Sequence, residues 1–153
     1  MFSEGKSDPY TFILDPHVWM DAQGYCRQHH TDLAIIRTTA ENQLVLQKVP
    51  DGYYVWIGLS QDSWEWSDWS SSWFRKWLSG QPDGRGSCAM TSFADSGRWS
   101  DWDCSSALPF VCHGGDVQFN YTPDFPDFLY THCQILKSVL TECVLVRPGV
   151  RSS

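Results

Sequence analysis

Residues Trp77–Cys112 read WLSGQPDGRGSCAMTSFADSGRWSDWDCSSALPFVC, and this stretch decides how the rest of the chain is read. It holds three of the six cysteines: Cys88, Cys104 and Cys112. It also holds a Gln81-Pro82-Asp83 turn and a Trp99-Ser100-Asp101 segment that ends just before a cysteine. Both segments place short oxygen-bearing side chains beside turn-forming residues.

The composition fits a single folded domain with a tail. The chain has 153 residues, 42% of them hydrophobic and 15% aromatic, enough to bury a core rather than stay disordered as a whole. Nine tryptophans supply core anchors first and exposed platforms second. A net charge of −7 leaves no basic stripe to neutralise phosphates, which argues against nucleic acid and gives no reason to expect an anionic membrane surface. Six cysteines in so short a chain read as a disulfide framework made in an oxidising compartment, with 15 connectivities open to it. Zinc is the poorer alternative, because no Cys-x₂-Cys pair is present. The start, MFSEGKSDPYTF, has no apolar signal region, and no apolar run is long enough to span a membrane. An extracellular disulfide protein without a leader is expected to be a fragment of a secreted protein or of a receptor ectodomain.

Working outward from the central stretch, residues 1–9 read as a flexible lead-in. Tyr10–Leu14 is a strand rich in aromatic and β-branched residues. Asp15-Pro16 is expected to start the first helix, with Asp15 as its cap and Val18, Ala22, Tyr25 and Cys26 on one buried face. Leu33–Ile36 reads as a strand. Thr38 and Glu41 have capping-box spacing for a second helix, which ends near Lys48 before Pro50. Tyr53–Ser60 is a buried strand, and Trp64–Asp68 a second short strand and turn. The tail, 114–153, is expected to be poorly ordered. It carries an acceptor sequence for glycosylation at Asn120-Tyr121-Thr122, an amphipathic segment over 135–146, and Cys133 and Cys143 with undefined pairing.

The ordered set of motifs over Tyr10–His113 resembles the C-type lectin-like domain. It runs from two helices to Trp56-Ile57-Gly58-Leu59, a long loop with Gln81-Pro82-Asp83, Trp99-Ser100-Asp101 and a closing Cys112. The resemblance implies an α+β fold, with two helices, small antiparallel sheets and a long irregular loop, stapled by disulfides. It implies pairing of Cys26 with Cys112 and of Cys88 with Cys104. Loop-closure entropy would make these worth about 4–5 and about 3 kcal/mol. It implies a cis bond before Pro82 and a calcium set of Gln81, Asp83, Ser100 and Asp101, with sugar contacted by Gln81, Asp83, Asp101 and Trp102. The Gln-Pro-Asp order points to galactose-type sugars.

Two residues depart from the family pattern. Gly86 stands where a glutamate usually sits two places before the loop cysteine, and Ser100 stands for an asparagine. Asp68, Asp95 and Asp103 are the acids that could approach from elsewhere. Two functions therefore stand side by side. One is a carbohydrate-binding domain, calcium-assisted and galactose-type. The other is a calcium-independent domain that binds a protein ligand. Trp102 is either a platform for the sugar or packing against Trp99 or the loop base. No enzyme is expected: the five histidines show no metal-ligand spacing with acids, and no nucleophile or phosphate-cradling motif is present. His29-His30 reads as a helix-end pair favoured by the dipole.

Overall fold

The computed structural model describes residues 9–61 and 63–114. The expected tail, with Asn120, Cys133, Cys143 and the 135–146 segment, lies outside them, as does most of the lead-in.

Among the described residues, seven strands and two helices follow in the order β1 (Tyr10–His17), α1 (Trp19–His29), β2 (Asp32–Leu33), α2 (Thr39–Lys48), β3 (Tyr54–Ser60), β4 (Glu65–Trp66), β5 (Cys88–Ser92), β6 (Trp99–Trp102) and β7 (Leu108–His113). The sheet runs β1-β7-β3-β5-β6, with β2 added on β7 and β4 on β3. Its pairs are antiparallel except one. The parallel register of Trp56 with Phe110 joins β3 to β7. That register merges the expected small sheets into one mixed sheet in an α+β fold.

The sheet separates two apolar clusters. One holds Ala34, Ile36, Val45, Ile57, Trp66 and Trp99. The other holds Trp19, Ala22, Cys26, Trp56, Met90 and Phe110. Disulfides join Cys26 to Cys112 and Cys88 to Cys104, so one ties α1 to β7 and the other holds the chain after β6 to the start of β5. Gly58 lies where β3 crosses the segment after β2. A Cβ there would stand 3.1 Å from the carbonyl oxygens of Leu33 and Ala34, so a larger residue would push the strands apart.

Three local expectations shift. β1 continues through Asp15-Pro16 to His17, which pairs with Leu108, and Pro16 tolerates this because a sheet edge needs no amide from it. Helix α1 therefore starts at Trp19. Val18 takes the cap position without a side-chain bond, and the Trp19 amide donates to the Cys104 carbonyl at 3.1 Å. Asp15 caps nothing there, and Trp19 rather than Val18 is the buried anchor.

The strand expected over Leu33–Ile36 is only Asp32–Leu33. Beyond it Ala34 donates to Val111 and accepts from Gly58, so the buried run crosses the core outside the ladder. Thr38 caps α2 by accepting from the Glu41 amide at 3.1 Å. The Glu41 carboxylate takes the Arg37 amide at 2.6 Å, one residue upstream of the reciprocal partner a capping box would use.

Candidate functional site

The end of the sheet where β5 and β6 meet carries the long loop's return. Leu78 donates to Trp99 and Trp99 to Lys76, at 2.8 and 2.7 Å, so the loop lies along β6 before it turns. Beneath it Trp99 is buried among the rings of Trp66, Phe74 and Trp77. Its indole N–H donates to Asn42 Oδ1 at 2.9 Å, while Asn42 Nδ2 donates to Gly97. Helix α2 thus fixes the strand that carries Asp101. The Gln81–Pro82 peptide is cis.

The four residues expected to hold calcium are brought together at this turn, but the side-chain oxygens of Gln81, Asp83 and Asp101 are engaged by the protein itself. Asp101 is 2% exposed. Its Oδ1 accepts the Asp83 amide at 2.8 Å, and its Oδ2 accepts those of Gly84 and Gly86 at 2.9 and 3.2 Å. Burial pushes the Asp101 carboxyl up, but the amides of Asp83, Gly86 and Gly84, together with its own, outweigh it and its pKa lies below the ordinary value. Gln81 Oε1 accepts the Asp101 amide at 3.2 Å, and Gln81 Nε2 donates to Asp83 Oδ2 at 3.2 Å. Asp83 Oδ1 accepts the Arg85 amide at 3.0 Å, and the Arg85 guanidinium stands 3.4 Å from Asp83 Oδ2. A positive charge from the chain already sits at the carboxylate.

Gly86 is more than a missing ligand. A Cβ there would fall 1.9 Å from the carbonyl carbon and oxygen of Trp102, so no side chain fits while the loop rests on β6. Of the three further acids, Asp68 pairs with Arg37 at 2.8 Å, and exposed Asp103 takes the Ser105 amide and hydroxyl. Only Asp95 reaches the site. Among the described residues no three His, Cys, Asp or Glu side chains converge as a metal set. A calcium ion needs six to eight oxygens turned toward one point. This donor set does not meet that need.

What the turn borders is an open cleft of about 380 Å³. Leu78, Met90 and Leu108 contribute apolar surface, Tyr54 and Trp102 are its aromatic side chains, and Gln81, Asp83, Arg85, Asp95 and Ser100 are polar. The register explains the grouping. Tyr54 pairs with Ser92, Met90 with Ser100 and Cys88 with Trp102, so alternate side chains share one face. Trp102 is 44% exposed and points away from the face of Trp99, whose ring neighbours are Trp66, Phe74 and Trp77. Of the alternatives for Trp102, packing on Trp99 is not the one adopted. Sequence reasoning missed Tyr54, Met90, Leu108 and Arg85. For Arg85 the signal was a cation two residues past Asp83; for Tyr54 and Met90 it was the side-chain alternation of β3 and β5, and for Leu108, at the start of β7, the sequence offers none.

Residues 15–114 match the family model described as the Lectin C-type domain. The chain is 37% identical over 102 residues to C-type mannose receptor 2 of Mus musculus, covering 61% of this chain and 7% of that receptor. It is 33% identical over 119 residues to Lithostathine-1-beta of Homo sapiens, covering 70% of this chain and 72% of the relative. The solved structure of human lithostathine superposes with a TM-score of 0.64 at 28% identity, covering 69% of this chain and 91% of that one. The family model spans the helices, both disulfides, the Gln81-Pro82-Asp83 turn and the cleft beside it, and the chain belongs to the C-type lectin domain family.

Proposed function

We propose that this domain is an extracellular recognition module, not an enzyme, and that it binds its ligand without calcium through the cleft between Tyr54 and Trp102. The observation that carries this reading is the inward use of the site's oxygens. Both Asp101 oxygens serve loop amides, and Arg85 lies against Asp83. The charge balance that a cation would supply comes from backbone dipoles and a guanidinium. Two disulfides support a secreted or ectodomain setting. Among the described residues no helix is long and apolar enough to cross a membrane.

The test is calcium titration of the oxidised domain by calorimetry, with thermal unfolding measured in calcium and in EDTA. No heat up to about 10 mM, beyond the weak end of extracellular sites, and one unfolding midpoint in both buffers are expected. Saturable heat that disappears in Asp83→Ala would overturn the reading. It would restore the calcium-assisted, galactose-type alternative, for which the adjacency of Gln81 and Asp83 and the exposed Trp102 ring are the supporting features.

A further inference from the structure

Resting on that calcium-free reading, we infer that the cleft takes a cationic side chain, lysine or arginine, presented by a protein partner. Charge complementarity carries the argument. Three aspartates, Asp83, Asp95 and Asp101, line the cleft against one arginine, Arg85. Asp101 is fully engaged by loop amides. Asp95 is within reach of a ligand, and Asp83 becomes so when the exposed Arg85 side chain gives way. The Asp83 side chain keeps 27% of its exposure. Among the described residues Asp95 accepts one side-chain bond, from Ser92 Oγ at 2.8 Å. A cleft lined by one sign of charge concentrates the opposite sign. An anionic ligand meets this excess of carboxylate on a chain that is already at −7.

The apolar part of the cleft fits the rest of such a side chain. Met90 and Leu108 offer surface to an aliphatic stem, and Tyr54 and Trp102, each 44% exposed, offer ring faces to its charged end. A neutral ligand would use the rings and leave the net negative charge of the lining unanswered. Arg85 is then an internal competitor. Its pairing with Asp83 is held at 3.4 Å by a side chain that is 80% exposed, and an exposed pair of this kind is weak. An entering guanidinium displaces it at little cost and bonds Asp83 in a bidentate way that the tethered Arg85 does not reach.

The test is a titration of the isotope-labelled, oxidised domain in EDTA, followed by NMR. The probes are acetyl-arginine methylamide and its uncharged citrulline counterpart. Saturable shifts at the Trp102 indole N–H and at Tyr54 are expected with the arginine probe and not with citrulline. Asp83→Asn should weaken binding at least about fivefold through loss of the charge-assisted bond. Arg85→Gln should tighten it about two- to threefold by removing the weak competing pair. Equal binding of citrulline, or no shifts at about 10 mM arginine probe, well above a millimolar dissociation constant, would overturn the inference. If calorimetry meanwhile finds no calcium, the calcium-free reading stands without it. Arginine-specific shifts that appear only when calcium is added would overturn both.

Discussion

Asp32 and Asp101 are both buried carboxylates, 5% and 2% exposed, and they are satisfied in opposite ways. Asp32 is held mainly by side chains. Arg27 reaches it at 3.3 Å, and the Ser67 hydroxyl, itself bonded by Gln23 and Arg27, donates to its other oxygen. This network ties α1 to β2 and to the turn after β4. Asp101 is held by three successive stretches of loop backbone: Asp83, Gly84 and Gly86. One aspartate welds elements of the scaffold; the other gives a loop its shape. The difference teaches where each can be broken. The first fails when a named partner is removed. The second fails when the backbone can no longer reach it.

The largest effect is therefore expected from Gly86→Glu, which restores the glutamate of the family pattern. The new Cβ has no space beside the Trp102 carbonyl, so residues 83–87 must lift from β6 and abandon Asp101. We expect a loss of about 3–4 kcal/mol, the range for overpacking combined with an unpaired buried charge. Denaturant unfolding measures it. No gain in calcium binding should accompany the change, because the displaced loop takes Gln81 and Asp83 with it. A stable variant that binds calcium would show that the loop is poised between two shapes.

Asp101→Asn is the next step down. It keeps the fold of the turn but sets an amide N–H₂ against backbone donors, costing about 2–3 kcal/mol for a charged acceptor that serves three bonds. The same carboxylate makes the domain acid-sensitive. Its folded pKa is depressed, so its contribution is fully present above the ordinary value of 3.8 and is lost as pH falls through the lower folded value. The difference in stability between the parent chain and Asp101→Asn should accordingly shrink below about pH 4. A difference that stays constant down to pH 2 would mean that the charge is not what the loop uses.

The two carboxylates also explain what could be read from the residues alone. The fold was legible because its markers are side chains: Trp56-Ile57-Gly58-Leu59 in a buried strand, Thr38 as a cap, and cysteines in order. The gathering of Gln81, Asp83, Ser100 and Asp101 was legible for the same reason. Their use was not. The donors to Asp101 are backbone amides, which every residue but proline carries, so nothing in the letters announces them. Gly86 read as an absent ligand, whereas its lack of a Cβ is what lets the loop rest on β6. The end of β1 was misplaced because Asp15-Pro16 serves a helix start and a sheet edge equally well. Only the register of His17 with Leu108 chooses between them.

Asp32→Asn should have the smallest effect of the three, about 1–2 kcal/mol, although Asp32 is nearly as buried as Asp101. The Arg27 side chain is 46% exposed, so solvent already screens the pair and can take over the guanidinium when the charge is removed. Asparagine can still accept from the Ser67 hydroxyl and from the Leu33 amide, which now bonds Oδ1 at 2.8 Å. The loss is then one charge-assisted bond rather than the network. The cleft lies at the other end of the sheet and has neither residue in its lining, so the arginine-probe shifts at Trp102 and Tyr54 should be unchanged in this variant. If Asp32→Asn did move those resonances, scaffold and loop would be one cooperative unit, and the separation between the two carboxylates would fail.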